Sequence, residues 1–295
     1  MSGIFYRFLT FLSRIFGPWI FDLTAKGIAA GYYILSPRRV TVSVHFYRAL
    51  FPEKNRLYHL WCTWRQFQNF TSVYVDRFLV DETDGITCIH TGWEHIEAAI
   101  ERNTGGIIVM SHLGNWEIAA HLMTRKLEKI RLILYMGTRA KAEIERIQKD
   151  DLAKRGVRII AVEKGWGTPF DLMEGLRFIK SGGLVSMTGD LVRDPSQRVV
   201  PAAFLGGEVY LPETPHLLAM LTGAPIFFFF SRRVGNKRYH VTLSEPNTIQ
   251  NVSRSERSAV LQRSAQKYAD LLEKNLRKNP LEWYHFETFL GPRLK

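Results

Sequence analysis

The chemistry-bearing residues of this chain concentrate in one short stretch, Ser111-His112-Leu113-Gly114-Asn115-Trp116-Glu117. A histidine with a carboxylate nearby is a general base with an orienting partner. The ring takes a proton at Nε2 from an attacking hydroxyl, while the carboxylate holds Nδ1–H and stabilises the imidazolium. His112 and Glu117 are five positions apart; on a continuous helix that is about 140° of rotation, and the side chains would not meet. A turn through Gly114 and Asn115, with a helix starting near Trp116, lets Glu117 reach back. It then sits in a first helical turn, where the helix dipole favours a carboxylate. The spacing alone is cheap, because His240 and Glu245 share it on an alternating stretch that would put them on opposite faces. What singles out His112 is its context. The apolar run Ile107 to Met110 precedes it, and the carboxyl end of a buried strand is where open α/β sheets place their chemistry.

The elements that must position this stretch are legible as alternating patterns. Apolar runs at Ile107–Met110, Leu132–Tyr135, Val157–Val162, Leu184–Met187 and Ile226–Phe230 predict buried strands, and Tyr239–Leu243 alternates like a more exposed one. Phe227 to Phe230 reads as strand rather than acyl-chain channel, since four consecutive side chains cannot all line one groove. Helical spacing covers Asn55–Leu79, Trp93–Arg102, Trp116–Lys129, Ala140–Lys154, Pro169–Lys180 and Pro215–Leu221, with a basic closing helix over Ser253–Lys278. Strands alternating with helices predict an α/β fold with a mostly parallel or mixed sheet flanked by helices.

Composition narrows the function classes. The 295 residues are 46% hydrophobic and 23% charged, which excludes a disordered chain. There is no Gly-x-Ser-x-Gly elbow, no phosphate loop and no HExxH, and Gly165-Trp166-Gly167 is followed by Phe170 rather than the glycine of a dinucleotide fingerprint. The nine histidines lack metal-ligand spacing, so no metal is expected, and the two cysteines, Cys62 and Cys88, exclude a disulfide scaffold. A net charge of +12 predicts an anionic partner. Nucleic acid is disfavoured by the absence of any RNA-binding or helix-turn-helix pattern. A bilayer surface or an acidic protein remains.

The N-terminal region favours the bilayer. No run of 18 uninterrupted apolar residues occurs, so a multi-span protein is excluded. Ile4, Phe8, Phe11, Leu12 and Ile15 recur at helical spacing, and residues 1–50 hold six Lys/Arg against one acid. Residues 1–36 are read either as a pair of core helices or, as the flanking charge favours, as an interfacial or shallowly inserted segment, and residues 37–295 as a single domain. Further basic excess lies at residues 125–158, with eleven Lys/Arg against five acids, and at 231–280, with eleven against four. Arg139, Arg232 and Arg233 fall near predicted strand ends and are the arginines singled out for binding an anionic group.

The blocks along the chain resemble the bacterial lipid A biosynthesis (late) acyltransferase family, within the wider glycerolipid and lysophospholipid acyltransferases. Residues 111–117 resemble its His-x4-Asp/Glu block, and Leu35-Ser-Pro-Arg-Arg39 with Leu50-Phe-Pro-Glu-Lys54 its pattern after the membrane anchor. Gly189-Asp190 resembles its acidic block. Phe204-Leu-Gly206, then Leu218-Ala219 and Thr222-Gly-Ala-Pro225, resembles its Phe-Phe-Gly and Leu-Ala…Thr-Gly-Ala-Pro run, and Asn279-Pro-Leu-Glu-Trp-Tyr284 its C-terminal segment. The chain departs in having Asp190-Leu191 for Asp-Gln, Tyr135-Met136-Gly137 for Tyr-Arg-Pro, and Glu213-Thr214-Pro215 for Thr-Pro-Thr-Gly.

The resemblance implies transfer of a fatty acyl chain from an acyl carrier protein or coenzyme A thioester, as co-substrate with no further cofactor. The acceptor would be a hydroxyl or amine of a membrane lipid, such as a lipid A precursor, an ornithine or other amino lipid, or a phospholipid. It implies residence at the bacterial cytoplasmic membrane with the catalytic domain facing the cytoplasm. In this reading His112 and Glu117 are catalytic, and amides near Gly114 and Asn115, or near Phe204 and Gly206, stabilise the oxyanion. Asp190 shapes the site or holds a head group. A basic peripheral membrane scaffold would account for residues 1–36 but not for residues 111–117.

Overall fold

Pro37 opens a helix where its fixed φ and missing N–H cost nothing, and Asn55 caps another by accepting the Tyr58 amide at 2.9 Å. These local signals delimit α2 (Pro37–Leu50) and α3 (Arg56–Val80), which follow α1 (Trp19–Leu35). The computed structural model describes residues 19–80, 87–115, 130–137, 156–162, 169–192, 194–235 and 237–291. The chain divides into two compact units, one of residues 1–86 with 279–288, the other of residues 87–278 with 289–295.

The helical unit is held by aromatic edges. Tyr33 of α1 meets Trp64 and Phe67 of α3 at centroid distances of 5.3 and 5.5 Å, each edge-on. A return segment with a short 3-10 turn at Pro280–Glu282 completes it. Trp283 is fully buried against Phe46, and the Tyr47 hydroxyl donates to the Pro280 carbonyl at 3.0 Å. Asp22 and Lys26, the two charges within the apolar stretch of α1, pair with each other at 2.6 Å on an exposed face. No described helix is long and apolar enough to cross a membrane. Apolar side chains of this unit are nonetheless exposed: Trp19, Leu23, Tyr32, Ile34 and Leu35 on α1, and Leu57 and Trp61 on α3.

The second unit is a seven-stranded sheet with helices and a hairpin. In chain order it runs β1 (Thr87–Thr91), α4 (Trp93–Glu101), β2 (Gly106–Met110), β3 (Leu132–Gly137), β4 (Val157–Val162), α5 (Pro169–Lys180), β5 (Leu184–Thr188), β6 (Val199–Phe204), β7 (Gly207–Pro212), α6 (Thr214–Thr222), β8 (Ile226–Gly235), β9 (Arg238–Leu243) and α7 (Arg257–Lys278). The sheet order is β1-β9-β8-β2-β5-β3-β4; β8 and β9 pair antiparallel and every other neighbour is parallel. β2 is buried at all five positions, the signature of a central strand covered on both sides. One face packs Ile108, Met110, Leu134, Phe227 and Phe229 against Trp93 and Ile96 of α4. On the other face Phe228 and Phe230 meet Tyr268 of α7. The phenylalanine run thus divides between two faces of one strand.

Most expected elements stand within a residue or two of their predicted bounds. The β8 strand continues to Gly235, five residues beyond the predicted end at Phe230. The predicted helices over Trp116–Lys129 and Ala140–Lys154 lie outside the described residues.

Candidate active site

The parallel pairing of β2 with β5 sets Met110 opposite Thr188. Two residues beyond each, His112 and Asp190 arrive together from positions 78 apart in sequence. Asp190 Oδ1 lies 2.7 Å from His112 Nδ1, and Oδ2 accepts the backbone N–H of His112, also at 2.7 Å. The Asp190 side chain is fully buried, while that of His112 keeps 24% of its surface open. A carboxylate only accepts, so Nδ1 carries a hydrogen, and in the neutral ring Nε2 then holds the lone pair. One carboxylate fixes both the ring and the backbone that bears it.

The support for this clamp is built into the strand ends. The Met110 carbonyl accepts from the Gly189 amide at 2.7 Å and from the Tyr268 hydroxyl at 3.1 Å. A Cβ on Gly189 would fall 2.7 Å from the Tyr268 ring and 2.4 Å from Val109, so glycine is required for the two strand ends and α7 to close up. Tyr268 is completely buried, and burial with the nearby charge of Asp190 pushes its phenol well above the usual range.

The turn after His112 takes the predicted course at Gly114. Its φ of +67° is left-handed, and a Cβ there would lie 2.1 Å from the Ser231 carbonyl. Both facts select glycine. The Ser111 hydroxyl accepts the Leu113 amide at 3.3 Å, and the Ser231 hydroxyl donates to the Asn115 carbonyl at 3.3 Å. Asn115 itself is buried.

The remaining predicted residues distribute as follows. Glu117 and Arg139 lie outside the described residues. The Nδ1 atom assigned in sequence to Glu117 is bonded to Asp190, because strand register brings that acid to the ring. Asp190, expected to shape the site or hold a head group, lies against the His112 ring at Nδ1. Arg232 and Arg233 are half-buried at the far end of β8. Phe204 and Gly206 sit at the turn of the β6–β7 hairpin, where Phe204 is buried with its ring edge-on to Phe289. The Leu205 amide between them donates to Glu273 of α7 at 2.8 Å and is thereby committed. That hairpin is bound to α7, with the Ala203 amide and carbonyl both joined to the Gln266 side chain at 2.8 and 3.0 Å.

Two other histidines carry polar contacts. His240 Nδ1 accepts from Arg232, and His240 Nε2 lies 2.9 Å from the Thr91 hydroxyl. His216 of α6 is buried beside Ser264, with Nδ1 at 2.8 Å from its hydroxyl, and burial lowers its pKa to about 4. Among the described residues no group of three or more His, Cys, Asp or Glu is placed to hold a metal ion.

The family model described as bacterial lipid A biosynthesis acyltransferase matches residues 58–291. No curated protein matches the chain.

Proposed function

This chain belongs to the bacterial lipid A biosynthesis acyltransferase family and is an acyltransferase of that type, and from that premise we propose that His112 is the general base of transfer from an acyl thioester to a glycolipid. The observation carrying this reading is the buried Asp190 carboxylate on Nδ1 of a partly open histidine. His112 Nε2 removes the acceptor proton as the acceptor oxygen, or an amine nitrogen, attacks the thioester carbonyl. Asp190 stays ionised, holds the ring in the productive tautomer and stabilises the imidazolium. The tetrahedral intermediate collapses by breaking the C–S bond, and the imidazolium returns the proton to the departing thiolate. The products are an acylated lipid and a free thiol, with no covalent enzyme intermediate. Glu117 is kept in the proposal as a second carboxylate of the same block.

The donor is acyl carrier protein or coenzyme A carrying a fatty acyl chain, and the acceptor a hydroxyl or amine of a lipid A precursor or related lipid. The basic stretches at 125–158 and 231–280 suit an acidic carrier or an anionic head group. Residues 1–36 are proposed as the membrane-associated segment, on the cytoplasmic side of the bacterial inner membrane. The exposed Ile34, Leu35, Leu57 and Trp61 support apolar contact there. Paired Ile34→Asp and Leu35→Asp changes should reduce flotation with anionic vesicles several-fold; unchanged flotation would remove α1 from the membrane contact.

The deciding experiment supplies acyl carrier protein and coenzyme A thioesters of several chain lengths with a bacterial lipid extract, and follows acylated products by mass spectrometry. A lipid gaining one acyl mass with the native protein and not with His112→Ala supports the reading. Equal product from a folded His112→Ala protein would end His112's role as base.

A further inference from the structure

Past the last β2–β8 pair, Met110 with Phe229, strand β8 continues alongside the turn that carries His112. The contact is backbone against backbone: a Cβ at Gly114 would lie 2.1 Å from the Ser231 carbonyl oxygen and 3.3 Å from Arg232 Cα. Arg232 therefore leaves the chain immediately beside the candidate site. Its side chain crosses to β9, where Arg232 stands directly opposite His240. The guanidinium Nε lies 3.2 Å and one Nη 2.7 Å from His240 Nδ1.

A guanidinium only donates, so Nδ1 presents a lone pair and the ring proton resides on Nε2. Nε2–H then donates to the Thr91 hydroxyl of β1 at 2.9 Å. Three strands are thus engaged in orienting one arginine. Burial, with the charges of Arg232 and Lys278, holds the His240 pKa below the usual imidazole range, consistent with a neutral acceptor.

The partner's neutrality is the informative point. An arginine serving only as a strut is normally tied to a carboxylate, which cancels its charge. Here the guanidinium is fixed by a neutral ring, and among the described residues it pairs with no acid. Of its five N–H groups, those aimed at His240 leave the outer edge of the fork with no acid on it among the described residues. A fork with paired donors fits the tetrahedral oxygens of a phosphate.

We propose that Arg232, oriented by His240 and Thr91, forms a phosphate-binding subsite beside His112. This deepens the acyl-transfer reading and rests on it. Phosphate can arrive from two sources, the phosphopantetheine or nucleotide end of the thioester donor, or a phosphorylated glycolipid acceptor. Arg232 is a binding residue here; His240 and Thr91 act through it as positioning residues.

The test measures kcat and KM for the native protein, Arg232→Gln, Arg232→Lys and His240→Phe. Donors are an acyl coenzyme A and the same acyl group on N-acetylcysteamine, which has no phosphate. Acceptors are a phosphorylated glycolipid and its phosphatase-treated form. Arg232→Gln should raise KM for one phosphate-bearing substrate about 10- to 100-fold, the loss expected for a charge-assisted pair, with kcat within about threefold. It should leave KM for the phosphate-free counterpart unchanged. Whichever pair shows this split identifies the source. Arg232→Lys, with charge but no fork, should fall between, and His240→Phe should move KM in the same direction by less. Melting temperatures of the variants separate binding loss from unfolding. An equal KM rise for both members of each pair, or no rise, would overturn the subsite. Calorimetric binding of coenzyme A, and of vesicles bearing the phosphorylated glycolipid, to His112→Ala with and without Arg232→Gln reads the subsite without turnover. Weaker binding there with no transfer by the native protein would sink the acyl-transfer reading and leave the subsite standing. Equal binding would sink the subsite.

Discussion

His112 lies just past the end of β2 and His240 on β9, strands of one sheet separated only by β8, and each is followed five residues later by a glutamate. Their rings are wired with opposite polarity. At His112 a buried carboxylate faces Nδ1, so the neutral ring carries its lone pair on Nε2. At His240 a guanidinium takes the Nδ1 lone pair, and the proton moves to Nε2, where Thr91 accepts it. A base needs the first arrangement and an inert acceptor the second. The charge of the group facing Nδ1 therefore separates the two, and the distance to a glutamate in sequence does not.

The comparison breaks most directly at His112. Replacement by alanine should lower kcat by about 10³-fold, within the range expected for a lost general base, in an assay of thioester consumption. If the fall is below tenfold, the polarity of this ring has no catalytic meaning. Asp190→Asn should convert His112 to the wiring of His240. The amide NH2 would donate to Nδ1, force the proton onto Nε2 and lower kcat by about 10² to 10³-fold. Nitrogen NMR of the imidazole would read the tautomer change directly, and an unchanged tautomer would contradict the argument.

His216 supplies a third setting, a ring whose Nδ1 faces the neutral Ser264 hydroxyl. Its pKa is lowered to about 4 by burial, so the folded state holds the neutral ring and the unfolded state binds a proton first. Stability is unaffected above about pH 6.5, the unfolded value, and falls as pH drops below it, by about 1.4 kcal/mol per unit. The cumulative loss near pH 4 is about 3 kcal/mol, and His216→Asn should flatten that part of the profile in denaturant titrations. The smallest expected effect is at Tyr268→Phe, which removes one of two donors to the Met110 carbonyl. A loss of about 1 kcal/mol in unfolding free energy is expected, with kcat falling only a few-fold. A normal melt with a hundredfold kcat loss would instead place the phenol in the chemistry.

Strands buried on both faces were readable because burial leaves an uninterrupted apolar run, as at Ile107–Met110 and Leu184–Met187. Thr87–Thr91 was not, since this edge strand is largely exposed and its Thr-Cys-Ile-His-Thr sequence shows neither a run nor alternation. The β6–β7 hairpin lacks a local signature for a different reason. Pro201 interrupts its first strand, and its turn is Leu205-Gly206, with Leu205 at φ +50° instead of the usual Asn or Asp. The Glu273 bond to the Leu205 amide is a tertiary contact that no local pattern announces. At the site, His112 and the Gly114 turn were legible because strand, histidine and turn are contiguous. Asp190 was visible as an acid after a strand, but its role depends on the β2–β5 register, which sequence periodicity does not specify. His240 was set aside on its spacing to Glu245, and its importance comes from the antiparallel pairing with Arg232.

The helical unit is discontinuous in sequence, joining residues 1–86 to residues 279–288. Besides Tyr47 and Pro280, Gln66 donates to the Trp283 carbonyl and Asn69 to the Leu281 carbonyl at 3.3 Å. On the ribosome this imposes a delay. The 192 residues between the two parts take about 10 to 40 s to synthesise at about 5–20 residues per second. Throughout that interval Phe46, Gln66 and Asn69 are without the partners that translation supplies last. The first unit to emerge is thus the last to be finished.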